Sequence, residues 1–237
     1  MSGVTDTIKA IFVKDLIAEF RAKQLLPTIV CLGVIIAWIF RVAAQAASID
    51  ISVAAGAVLL IAVLFAGILV CEKSFAVELE NDCLGSLLLA PVDAGDIYLA
   101  KLLVNIVILC IFEIVTVPVV LVLFKVTVTG KWLQLIMVLL LANIGISSVG
   151  TLLGCVVQQT KTAGSLLSVL VMAVLMPMMI PAIVALLLLF GPVSSHIVGA
   201  DIFGVAGNFR AAVGYMTAFD AIFVTVCWLL FGLVVGD

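Results

Sequence analysis

Six long apolar runs decide what this chain can fold into. A helix that crosses the roughly 30 Å hydrocarbon core of a bilayer needs about 20 mostly apolar residues. Runs of that kind occupy residues 25–40 (continuing past Arg41 towards 47), 51–71, 102–124, 132–157, 165–193 and 211–235. The second holds no charge, the third is interrupted only by Glu113 and Pro118, and the sixth carries Asp220. None alternates polar with apolar residues, so they read as helices and not as strands of a barrel. Of the 237 residues, 66% are hydrophobic and 11% charged, against about a quarter charged in a soluble domain. A soluble chain could not cover that much apolar surface. Soluble enzymes and disordered chains are thereby excluded. A net charge of −3 offers no basic patch to nucleic acid. The expectation is an all-α polytopic membrane protein, with residues 1–237 forming one six-span transmembrane domain.

The first run resembles a secretory signal, because basic residues precede it and Ala44-Gln45-Ala46 follows. That reading fails on the acids Asp6, Asp15 and Glu19 in the preceding segment and on Arg41 in the would-be cleavage region. Orientation follows the distribution of Lys and Arg. Seven fall on the amino-terminal side (Lys9, Lys14, Arg21, Lys23, Lys73, Lys101, Lys161) and four on the other (Arg41, Lys125, Lys131, Arg210). Both termini are expected in the cytoplasm.

Outside the runs, two segments are large enough to carry a mechanism. In residues 1–24, Ile8, Ile11, Phe12, Leu16 and Phe20 recur at helical spacing, with Lys9, Lys14, Asp15 and Arg21 elsewhere around the turn. This predicts an amphipathic helix lying in the membrane interface. Residues 72–101 form the longest polar stretch. Phe75 and Leu79 share a helix face, surrounded by Glu72, Glu78, Glu80 and Asp82, and 91–96 read as a turn. An exposed aromatic among acids suits a partner's groove; a solvated connector resting on the bilayer explains the same composition.

The chemistry absent from the sequence narrows function further. Gly130-Lys131 is followed by Trp132, and Lys125 stands where a phosphate-binding loop needs its first glycine. Neither a zinc-protease motif nor a nucleophile elbow occurs. The six cysteines form no Cys-x-x-Cys pair, and the single histidine, His196, leaves no metal site. The chain is therefore expected to be non-catalytic, with no covalently bound cofactor.

In order, Glu72-x-x-Phe75-x-x-Glu78-Leu79, Leu84-x-x-Leu87-Leu88-x-x-Pro91 and Leu99-Ala100-Lys101 resemble the cytoplasmic loop of the cytochrome c maturation permease family, also called haem exporter protein B. Asn143-Ile144-Gly145 with Val149-Gly150-Thr151-Leu152 resembles its fourth span, and Leu166-Leu167 with Pro177 and Pro181 its fifth. One departure stands out. Many members carry Gly-x-Leu-Glu in the loop, whereas this chain has Asp82-Cys83-Leu84-Gly85, so no role of that glutamate passes to Gly85.

The resemblance implies an ABC-2-like exporter permease in the bacterial inner membrane, with a coupling helix between spans two and three. Its ATPase is a separate chain, docking at Glu72, Phe75, Glu78, Leu79, Glu80 and Asp82. It also implies a haem-handling membrane partner, a periplasmic haem chaperone, and haem as substrate or cargo. Because two ATPase subunits must close on each other, a homodimer follows as the simplest closed arrangement. The competing readings are a scaffold that anchors the ATPase to a haem-handling partner without transport, and a secondary carrier or channel. Within the spans, Glu113 with Pro118, and Pro177 with Pro181, are expected to mark bends. Gly145, Gly150 and Gly154 suit close helix packing. His196 is the one imaginable haem ligand, more simply read as a loop histidine.

Overall fold

A computed structural model of the chain describes residues 4–22, 24–80, 94–128, 130–159, 163–190 and 208–235. Among these residues the regular structure is α-helix alone. It comprises α1 (Val4–Ala22), α2 (Leu25–Ala46), α3 (Ile51–Glu80), α4 (Ala94–Phe124), α5 (Trp132–Gln159), α6 (Ala163–Phe190) and α7 (Phe209–Val235). Six stretches are long and apolar enough to cross a membrane: Leu25–Ala46, Val53–Ser74, Ala94–Phe124, Trp132–Val157, Ser168–Phe190 and Phe209–Leu233. The polytopic helical architecture expected from the apolar runs is the one observed.

The ends of the helices follow local chemistry. Asn208 caps α7 by accepting the N–H groups of Arg210 and Ala211 on Oδ1, at 3.1 and 3.4 Å. Ser48 and Lys125 close α2 and α4 in the left-handed region, each at φ 53°. In each case the next residue's N–H reaches back over the last turn, Ile49 to Ala44 O and Val126 to Leu121 O. Further cations serve two carbonyl ends: Arg41 Nε donates to Leu123 O of α4 (2.9 Å), and Lys131 Nζ to Leu188 O of α6 (3.4 Å).

Helix α5 is the axis of the bundle, touching α3, α4, α6 and α7, while α2 lies against α3 and α4. Its polar residues Asn143, Ser147, Ser148 and Thr151 are fully buried, whereas Leu133, Ile136 and Met137 face outward. That inversion of a soluble helix is what a lipid surround requires. Helices α3 and α5 interlock through a reciprocal fit. Ile146 of α5 fills the space beside Gly67 of α3, and Cys71 of α3 fills the space beside Gly150 of α5.

Three details differ from the sequence reading. Helix α3 does not end with its apolar run at 71 but continues to Glu80. Nothing in 72–80 breaks a helix, and loss of apolarity ends a span, not a helix. Helix α4 starts at Ala94, with Asp96 in its first turn where the dipole favours an acid. In α1, Ile8, Ile11, Phe12 and Leu16 lie towards the bundle, but Phe20 is exposed along an outer ridge with Val13 and Ile17. Asp15 takes the inner face instead, where Lys101 pairs with it, and Glu19 lies half-buried beside it.

Candidate functional site

Where α3 leaves the bundle and α4 returns to it, a polar junction forms. Lys101 of α4 is 2% exposed. Its Nζ donates to Ser74 O of α3 at 3.0 Å and pairs with Asp15 Oδ2 of α1 at 3.2 Å. One turn further along α4, Asn105 Nδ2 donates to Thr151 Oγ1 of α5 (3.0 Å) and lies 3.7 Å from Cys71 Sγ of α3. One turn back, Tyr98 Oη donates to Ser148 O of α5 (3.2 Å), and its ring meets Phe231 of α7 at a centroid distance of 5.5 Å. Trp228 of α7 closes over Gly95, where a Cβ would strike the indole Nε1. Around these groups Ile11, Ile97, Tyr98, Leu102, Leu152 and Phe231 build a core separate from that of the main bundle. A face of α4 at spacings of three and four (Tyr98, Lys101, Asn105) thus ties α1, α3, α5 and α7 together.

Of the proposed docking residues, Glu72 is half-buried on α3, while Phe75, Glu78, Leu79 and Glu80 belong to its last turns. One helical turn separates Phe75 from Leu79. Asp82, with the rest of residues 81–93, lies outside the described residues, as does His196. The proposed coupling helix is therefore seen only where it continues α3.

Deeper in the bundle, Glu113 is 8% exposed. The side chain of Asn143, which donates to Cys110 Sγ at 3.8 Å, is also within hydrogen-bonding reach of Glu113. Pro118 lies on the outer face of α4, which runs unbroken through it. Likewise α6 is one helix through Pro177 and Pro181. Gly145, Gly150 and Gly154 are all buried. Over Gly145 meet Met178 of α6 and Asp220 of α7, whose two carboxylate oxygens are buried with no hydrogen-bond partner among the described residues. Among the described residues no cluster of His, Cys, Asp and Glu could hold a metal ion.

On α1, burial pushes the Glu19 carboxyl above the usual carboxylate range, and the charge of Lys73 only partly offsets this. The sequence alone presents Lys73 and Lys101 as orientation charges, puts Asp15 on the polar side of an amphipathic helix, and gives Tyr98 and Asn105 no role. The signal was present in 97–109, where Tyr98, Lys101 and Asn105 are the polar residues of an apolar stretch and fall on one helix face.

A family model described as CcmB protein matches residues 6–219. No curated protein and no solved structure matches the chain. The family match begins within α1, crosses the junction and ends in the last span, and so covers nearly all of the architecture described above. This multi-pass membrane chain belongs to the CcmB family, the membrane component of a multi-component haem exporter for cytochrome c biogenesis.

Proposed function

We propose that this chain is the permease subunit through which a separate ATP-binding-cassette ATPase drives haem export, or release of the haem-loaded periplasmic chaperone. The observation that carries the reading is the length of two helices. Helices α3 and α4 contain 30 and 31 residues, about 45 Å each at 1.5 Å per residue. A bilayer core takes up about 30 Å of this. In α3 the candidate span ends at Ser74, where Lys101 meets it, and the helix continues to Glu80 into the acidic, aromatic-bearing stretch of residues 72–101. A subunit without nucleotide-binding machinery receives work through a contact, and this stretch is the surface that suits one. Two copies of the chain then serve two ATPase subunits, in the bacterial inner membrane, with both termini in the cytoplasm. A haem-handling membrane partner and the chaperone meet the opposite face. Haem is cargo, and the chain itself catalyses nothing.

The test is purification of the chain with its ATPase, followed by ATPase assay with and without the haem chaperone. Phe75→Asp is expected to release the ATPase while the six-span fold persists. Full co-purification of the ATPase with Phe75→Asp would sink the docking assignment. ATPase binding with no response to chaperone would support a scaffold instead.

A further inference from the structure

We propose that Lys101 is a positioning residue: it pins the end of α3 to the start of α4 and fastens both to α1, so that displacement of the end of α3 moves α1 together with α4. The proposal rests on the reading of the excursion over residues 72–101 as the surface that receives work.

The chain leaves the bundle at the end of α3 and returns at the start of α4. One ammonium group joins the two points. Lys101 Nζ reaches Ser74 O at 3.0 Å and Asp15 Oδ2 at 3.2 Å. The Ser74 carbonyl sits inside α3, which continues to Glu80, so Lys101 takes the second lone pair that helical bonding leaves available. The lysine side chain is 3% exposed and that of Asp15 13%. An ion pair so sheltered from water keeps its partners committed to each other, unlike the neighbouring Lys14–Asp15 contact, where the lysine is 54% exposed.

Apolar contacts hold helix α1 as well, with Phe12 packed against the core of the main bundle. It packs on α4, and Ile11, with Ile8 beside it, supplies its main apolar anchor there. Its outer ridge of Val13, Ile17 and Phe20 faces away from the protein. The acids Asp15 and Glu19, one turn apart, face Lys101 of α4 and Lys73 of α3, the lysines that flank the excursion on either side. An amphipathic helix normally turns its charges outward. This one turns two acids inward, which makes sense if its position is read at the base of the excursion.

The full-length chain, reconstituted in liposomes with a nitroxide at Ile17, tests the idea by label mobility, alongside cytochrome c maturation in cells carrying the same variants. Lys101→Met is expected to convert at least half of the α1 signal to a mobile form and to lower maturation about tenfold. Asp15→Asn, which leaves Lys101 and Ser74 in place, should free α1 to a lesser extent and guards against misfolding of the buried variant. Lys101→Arg should restore both readouts, which a merely space-filling role would not require. An immobile α1 in both Lys101→Met and Asp15→Asn overturns the pin. A mobile α1 with unimpaired maturation overturns the transmission of movement. In either event, co-purification of the ATPase with the wild-type chain reads the docking assignment separately.

Discussion

Gly150→Ala puts one methyl group at a close approach of α3 and α5. The new Cβ would stand on Cys71 Sγ and 3.0 Å from Cys71 Cβ. Neither helix has room to retreat, because one turn away Ile146 already fills the space beside Gly67. Overpacking of this kind costs about 1–3 kcal/mol. For a chain of this length a loss of about 2 kcal/mol lowers the thermal midpoint by about 4–8 °C. Cys71→Ala removes the sulfur at a cost of about 1 kcal/mol; Asn105 keeps its bond to Thr151 Oγ1. If the two side chains compete for one space, the double variant loses less than the sum of the single losses, with a coupling of about 1–2 kcal/mol. Relief is partial, since the Cys71 Cβ remains. The measurement is the thermal midpoint in one detergent at one scan rate, read as a double-mutant cycle. A neutral Gly150→Ala, or strictly additive losses, would refute the contact. Because Cys71 lies one turn before Ser74, the same cycle reports on the helix pair beneath the excursion.

Three further outcomes follow from the geometry. Lys125 holds a left-handed conformation that favours glycine, so Lys125→Gly should raise the thermal midpoint by about 2–4 °C, for a gain of about 1 kcal/mol; a fall would show that the lysine side chain contributes more than its backbone costs. Asp220→Asn should leave stability unchanged or improved, since neither carboxylate oxygen has a partner to lose among the described residues and a charge at bilayer centre costs about 2.5–3.5 kcal/mol on insertion scales; normal maturation in that variant would show that the carboxyl group itself is dispensable. Burial raises the Glu19 pKa above its ordinary value, so its contribution to α1 docking is complete below the ordinary carboxylate pKa and is lost as pH rises through the raised value; label mobility on α1 should increase over that window, and Glu19→Gln should flatten the response.

The apolar spans were legible because the bilayer imposes both their length and their composition. The run at 132–157 coincides with the span found in α5, and the run at 25–47 with α2 to within a residue. The polar junction was not legible as a unit. Lys101, Asp15 and Ser74 stand far apart in sequence, and each alone has a bland reading as an orientation charge, a helix-face acid or a loop serine. What brings them together is packing of α1 on α4, and the helical periodicity of residues 4–22 predicts a face without saying what covers it. The rule that charges turn to solvent then assigned Phe20 to the buried stripe and Asp15 to the open side. The structure reverses both, since a buried lysine on α4 favours the acid over the aromatic ring. Cys71 and Gly150 were likewise separate observations, a packing cysteine and a small-residue motif, until the parallel pairing of α3 with α5 placed one against the other.

The charge count that orients the chain also changes meaning with the structure. Seven cations against four is a modest bias. Two of the four, however, have structural work on their side: Arg41 serves Leu123 O at the end of α4, and Lys131 serves Leu188 O near the end of α6. A helix end leaves carbonyls unpaired and carries partial negative charge, so a cation belongs there whichever way the chain crosses the membrane. On the same ground Lys101, buried against Asp15 and Ser74 O, leaves the other tally. Six remain against two, and four of the six (Lys9, Lys14, Arg21 and Lys23) precede the first span, where such charges act most strongly on orientation. That supports cytoplasmic termini. On the proposed reading, in which the ATPase docks on the cytoplasmic side, the same orientation would put Lys101, α1 and the end of α3 on the face that receives work, and so would give the junction a physical route to the energy it is proposed to transmit.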